Sequence, residues 1–216
     1  PLLFLLFPFL TILIVELPIR LSVIEVVNWG LEKPLYIVAT YLIIFLVQSL
    51  LFALINNYYL SLIINQIVFG LVAVANYYKM MFLNDPILPW DLVFVKQIFD
   101  LLPNLKGVIP LNLILFTGVI ILLVIAVVIK YTKFNVLSIR RRVLAFFFSF
   151  GMLIIIASYP TNFFNNVMEE LELSNVTWDN KVSLNNNGFV LNFVSKINEM
   201  SIPTPENYSK QEVSRI

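Results

Sequence analysis

Asp85 and Asp91 are the carboxylates whose spacing best suits acid/base work, in the stretch NYYKMMFLNDPILPWDLVFVKQIFDLL from Asn76 to Leu102. Two carboxylates divide proton donation and acceptance only where a fold brings them together, and the spacing alone gives no sign of convergence. The plainer roles are turn closure for Asp85 and a helix N-terminus for Asp91. Arg20, Lys79 and Lys96 are the cations that a second chemistry could recruit. Together they could form a rim that holds an anionic lipid headgroup, with arginine favoured by phosphate geometry. Against this, Lys79 can be a lysine snorkelling to an interface, and Arg20 can pair with Glu16 one helical turn earlier. The chain contains no cysteine and no histidine. Disulfides, thiolate chemistry and imidazole-based metal sites or proton shuttles are therefore removed together. No phosphate-cradling glycine loop, nucleophile elbow or metal-ligand cluster is present, so neither a catalytic residue nor a cofactor is expected within this chain.

The elements that must position these residues belong to a membrane. The chain is 60% hydrophobic and 12% charged, with mean hydropathy +0.90, whereas a soluble domain carries about 25% charged residues. The net charge of +1 supplies no field for nucleic acid. Residues 2–15 are apolar and read as the visible part of a first transmembrane helix, the chain opening at Pro1 like a piece of something longer. Residues 23–34 read as a connection, with Trp29 an interfacial anchor and Gly30 and Pro34 breakers. Spans follow at 35–55 and 60–78, joined by a polar turn at Asn56–Tyr59. Asn65 and Gln66 interrupt the third span and are expected to bond to a neighbouring helix; a place on a substrate path is the alternative. A fourth span covers 111–129 and a fifth 143–159. The loop between them carries Lys130, Lys133, Arg140, Arg141 and Arg142 with no acidic residue. Basic short loops stay in the cytoplasm. That rule places the N-terminus inside, and the 23–34 connection, the 76–102 stretch and everything after Pro160 outside.

The 76–102 stretch is neither a short loop nor a sixth span. Pro86 and Pro89 forbid a regular helix around Trp90. Beyond them the chain can restart with Asp91 at the positive end of a helix dipole. Leu92, Val95, Ile98, Phe99 and Leu102 then cover one side, and Lys96, Gln97 and Asp100 the other, with only Val93 out of place. This describes a short amphipathic helix at the membrane interface.

Residues 161–216 differ in kind. Phe163, Phe164, Val167, Met168 and Leu171 recur at helical spacing, as do Phe189, Val190, Phe193, Val194 and Ile197. A polar stretch from Ser174 to Asn187 lies between them and ends in Asn-Asn-Asn-Gly, a turn signal. The expected architecture is thus all-α: a five-helix transmembrane domain over 1–160, an extracellular interfacial helix, and a helical extracellular linker over 161–216.

Two stretches resemble a known family. NYYKMMFLNDPILPWDL is similar to the segment between membrane helices of lipoteichoic acid synthase-like proteins, the phosphoglycerol transferases of the alkaline-phosphatase/sulfatase superfamily. GFVLNFVSKINEMSIPTPENYSKQEVSRI is similar to the linker that leads into their extracellular catalytic domain. The resemblance covers most of the chain from about Ile37. It implies the membrane portion of an enzyme of the bacterial plasma membrane that transfers glycerol phosphate from phosphatidylglycerol to a polymer or glycan. It further implies a downstream catalytic domain, as partner, that holds a divalent metal such as Mn. The family's catalytic threonine, carboxylates and histidine have no counterparts here. A small lipid transporter or flippase, with Asn65 and Gln66 near the midplane, and a pure anchor are the alternatives from other classes.

Overall fold

The structure, a computed structural model, describes residues 2–94, 118, 137–158 and 179–197. Lys96, the 111–129 span, Lys130, Lys133, the 163–171 segment and residues 198–216 lie outside the described residues. Among the described residues every regular element is a helix. In chain order these are α1 (Leu2–Arg20), α2 (Val23–Glu32), α3 (Pro34–Ile55), α4 (Tyr58–Leu83), a 3-10 turn (Pro89–Phe94), α5 (Ile139–Ser158), α6 (Asn180–Asn187) and α7 (Phe189–Ser195).

Three of these, α1, α3 and α4, are long and apolar enough to cross a membrane, with 19, 22 and 26 residues. At 1.5 Å per residue they reach about 28 Å or more, against a hydrocarbon core of about 30 Å. They coincide with the first three of the five expected spans. α5, 20 residues long, packs along α3 where the fifth was expected, and begins with the basic residues Arg140–Arg142.

α1 contains Pro8 and Pro18, and its packing repairs the defect that Pro8 introduces. A proline has no N–H for the carbonyl four residues back, so the Phe4 carbonyl is orphaned where no water can reach it. Gln48 of α3 donates to that oxygen at 2.7 Å, and the Tyr41 hydroxyl donates to the Leu5 carbonyl at 3.0 Å. One turn on, the Thr11 hydroxyl bonds back to the Phe7 carbonyl at 2.9 Å. Thr11 also accepts from Gln66 at 2.8 Å and from Asn65 at 3.3 Å. The polar interruption of the third span is therefore interhelical bonding between α4 and α1, as expected. Gln48→Leu should strand the Phe4 carbonyl and cost about 1–2 kcal/mol. A lowered unfolding midpoint in detergent would register that cost; an unmoved one would show that the bond is dispensable.

The bundle has two distinct ends. At one, α3 stops at Asn56, which takes a left-handed conformation with φ 53°. Its side chain accepts from Leu137 N at 3.0 Å, and Arg142 donates to the Ala53 and Leu54 carbonyls at 2.5 and 2.6 Å. A cation thus meets the negative end of the α3 dipole. The polar turn at 56–59 and the end of the basic run share this side, as the alternation of spans requires.

The other end gathers α2, the C-terminus of α4, and α6 with α7. Here three expectations change. Residues 23–32 form a helix rather than an irregular connection, and Gly30 sits inside it instead of breaking it. The third span runs on to Leu83, so Asn76–Leu83 is its last two turns; an α-helix tolerates the tyrosines and Lys79 where spans meet the interface. The polar stretch before Gly188 is helical from Asn180, because Asp179 caps it by accepting from the backbone N–H groups of Lys181 and Val182. The described part of the expected linker is also well packed. Leu184, Phe189, Val190, Leu191 and Val194 are buried in one core with Ile12, Ile14 and Val15 of α1, Trp29 of α2, Ile43 and Ile44 of α3 and Ala73 of α4.

Candidate functional site

Lys79 stands one turn before the end of α4, and the chain turns back on it. Its ammonium donates to Asp85 Oδ2 at 3.0 Å, to the Pro86 carbonyl at 2.7 Å and to Asp91 Oδ2 at 2.7 Å. An ammonium has three N–H donors, and all three are used. Asp85 and Asp91, which spacing alone did not bring together, converge on this one cation. Asp91 Oδ2 also accepts from Leu88 N at 2.7 Å, which fixes the start of the 3-10 turn. Asn76, buried one turn before Lys79, accepts from Ile87 N at 2.9 Å. Pro86, Leu88 and Pro89 are buried under the loop and Trp90 is half-buried. The expected helix beginning at Asp91 is a 3-10 turn over Pro89–Phe94; its continuation and Lys96 lie outside the described residues.

This loop also receives the C-terminal segment. Asn180 donates to Asp85 Oδ1 at 2.9 Å, and Lys181 donates to Asn84 Oδ1 at 2.6 Å. Lys79→Met should leave two neighbouring carboxylates without their shared cation and cost about 1.5–3 kcal/mol. Faster proteolysis between Asn84 and Asp91 in detergent would report it, and a wild-type cleavage rate would show that the cation does not hold the loop.

The second cluster is centred on the joint between α6 and α7. Gly188 makes that joint with φ 76°, a region that suits glycine. A Cβ on Gly188 would meet Glu16 Oε1 at 2.7 Å and the Trp29 ring at 2.8 Å. The backbone on both sides of the joint is held. On the α7 side, Phe189 N donates to Glu16 Oε1 at 2.7 Å, so a carboxylate caps the positive end of a helix. On the α6 side, the Asn185 carbonyl accepts from Arg20 at 3.0 Å. The Asn186 carbonyl accepts from Trp29 Nε1 at 3.0 Å and from Lys33 at 3.2 Å. Cations and an indole thus meet the negative end of α6.

The clamp is braced from behind. Arg20 Nε lies 3.3 Å from Glu16 Oε2, and the guanidinium rests over the Trp29 ring at 4.3 Å. Lys33 lies over the Tyr36 ring at 4.9 Å. Burial first, and then the nearby Arg20 charge, hold the Lys33 ammonium below the usual lysine range, with Glu32 opposing. Glu16 and Arg20 do pair, as their spacing suggests, but Glu16 is fully buried rather than snorkelling at a surface.

The structure therefore places Arg20 and Lys79 at one end of the bundle in separate, internally bonded clusters. It unites Asn76, Lys79, Asp85, Pro86 and Asp91, and it adds Glu16, Trp29, Lys33 and Gly188. Lys33 carries little warning in the sequence beyond its place four residues after Trp29, on the same helix face. Among the described residues no group of three or more His, Cys, Asp or Glu is arranged to hold a metal ion. What both clusters do is grip backbone.

Fold and site together define a multi-helix membrane protein whose C-terminal segment is seated on its own spans. No protein-family model matches the chain, and no solved structure matches it. The chain is similar to a protein of Rhizobium meliloti (strain 1021) described as a putative cyclic beta-1,2-glucan modification protein, with 28% identity over 148 residues. The match covers 64% of this chain and 22% of that protein, so the chain spans less than a quarter of the relative's length.

Proposed function

We propose that this chain is the membrane-embedded part of a phosphoglycerol transferase of the lipoteichoic acid synthase-like kind, and that it positions an extracellular catalytic domain at the bilayer. In this reading the basic loop faces the cytoplasm of a bacterial plasma membrane, while Lys79, Gly188 and the chain after Gly188 face outward. The observation that carries the reading is the seating of residues 179–197. Residues 179–197, which include the start of the stretch that resembles the family's linker, are held by α1, α2 and the loop after α4 at one end of the bundle, so a domain carried beyond them would start from a fixed point. The relative named for glucan modification is consistent with an envelope glycan as acceptor. Arg20, Lys79 and Lys96 are the proposed rim for the phosphate of phosphatidylglycerol, which would have to compete with the Asn185 carbonyl for Arg20 and with Asp85 and Asp91 for Lys79. The described residues offer no donor set for the divalent metal that the resemblance implies; in this reading that metal belongs to the downstream catalytic domain.

The test uses the protein together with its proposed catalytic domain, in vesicles that contain labelled phosphatidylglycerol. Replacing residues 179–197 by a Gly/Ser chain of equal length should lower glycerol phosphate transfer from vesicle lipid about 10- to 100-fold, as misplaced reacting groups do. Turnover of a soluble lipid analogue should stay unchanged. Equal rates on vesicle lipid would reduce this region to an anchor. Absence of any transfer by the unmodified protein would reject the transferase reading.

A further inference from the structure

α2 meets three environments, and only two of them are accounted for by protein and water. Successive residues of a helix are rotated by about 100°. On that wheel Val26, Trp29 and Gly30 fill one arc of about 100°. This sector faces the protein: Val26 and Trp29 are buried, and a Cβ on Gly30 would stand 3.3 Å from the Ile37 side chain of α3. Glu25, Asn28 and Glu32 fill a second arc of about 60°, all exposed, and this sector suits water. Val23, Ile24, Val27 and Leu31 fill the remaining arc of about 100°. These four are also exposed, Ile24 by 70% and Leu31 by 76%.

An apolar sector of that width is unfavourable in water by roughly 25 cal/mol for each Å², so it calls for a third environment. Connectivity says which. α2 is separated from α1 by Leu21 and Ser22, and from α3 by Lys33 alone. Both neighbours have the length and composition of spans, which brings both ends of α2 to a bilayer surface. Its 10 residues reach about 15 Å, too short to cross a core of about 30 Å. The exposed apolar surface continues on the neighbouring helix: Leu35, Val38 and Leu42, at helical spacing on α3, are each more than half exposed, the surface that a span turns toward lipid.

We propose that α2 is an in-plane helix whose Val23, Ile24, Val27 and Leu31 face is buried in the headgroup–acyl boundary of the bilayer. The partner is the lipid surface itself, bound through apolar contact. The water sector carries carboxylates and an amide but no cation, so anionic headgroups add nothing to the binding. Since Trp29 on the opposite side bonds to Asn186, α2 sets the depth at which the α6–α7 joint is held.

The absence of native cysteine permits a direct test with single-cysteine spin labels, in the whole chain reconstituted into phosphatidylcholine vesicles. Labels at Ile24, Val27 and Leu31 should collide several-fold more with oxygen than with a water-soluble nickel chelate. Labels at Glu25, Asn28 and Glu32 should show the reverse, and added phosphatidylglycerol should leave both patterns unchanged. Equal nickel accessibility at Val27 and Asn28 would overturn the proposal by placing the helix in water. Exclusion of both reagents at Ile24, Val27 and Leu31 would overturn it by showing a protein surface there. A pattern that needs phosphatidylglycerol would overturn its apolar character.

Discussion

Gly188→Val should release residues 179–197 from the membrane helices and lower stability by about 2–6 kcal/mol. Two costs add. A non-glycine residue held at positive φ carries about 1–3 kcal/mol of strain, and φ here is 76°. A new side chain in a filled space costs about 1–3 kcal/mol more, and this one would overlap the Glu16 carboxylate and the Trp29 ring. Neither neighbour can retreat cheaply, since Glu16 holds Phe189 N and Trp29 holds the Asn186 carbonyl. Gly188→Ala should show the same effect in smaller measure. Protease cutting between Asp179 and Ile197 in intact membranes is the readout, with accelerated cleavage expected in both variants. Cleavage no faster than in the parent chain would mean that the joint is not packed as described.

Glu16→Leu should be comparably damaging, at about 3–5 kcal/mol, the cost of removing one partner from a buried ion pair. It leaves Arg20 without its carboxylate and Phe189 N without an acceptor, deep among Ile12, Ile14 and Val15. The double variant Glu16→Leu/Arg20→Leu should recover part of the loss, because an apolar pair carries no stranded charge. It would not recover all of it, since the bond from Arg20 to the Asn185 carbonyl is gone as well. Unfolding in mixed micelles measures Glu16→Leu, Arg20→Leu and the double variant. A single variant that unfolds with the parent chain, or a double variant worse than the sum of its parts, would contradict the clamp.

The membrane class and the second and third spans were legible in the sequence because an uncharged run of span length admits few other interpretations. The bonding of Asn65 and Gln66 to a neighbour was legible too, since an amide inside a membrane must find a partner. The receiving site, the Thr11 hydroxyl on α1, was not, and neither was the Phe4 carbonyl that Pro8 frees, whose partner shows only once α3 brings Gln48 alongside. Convergence of Asp85 and Asp91 was hidden for a related reason. It depends on Lys79 reaching out from a helix that runs past the expected end of the third span. The Asn-Asn-Asn-Gly signal correctly marked a change of direction at Gly188. The helix before it was obscured by asparagines, which favour caps and turns over helix interiors and here are outweighed by Asp179 capping and the burial of Leu184. Glu16 and Arg20 were found as a pair, but their partners lie more than 150 positions away, beyond the reach of any local pattern.

The seating of residues 179–197 on α1, α2 and α3 is the claim on which the rest depends, and a short cross-link tests it most directly. Lys33 and Asn186, joined by a 3.2 Å bond in the structure, can be replaced by cysteines in a chain that has none of its own. Treated with a short bifunctional thiol reagent in native membranes, Lys33→Cys/Asn186→Cys should form an intramolecular link, and Gly188→Val in the same background should abolish it. Two cysteines that each react with a monofunctional reagent, yet never link to one another, would contradict the account.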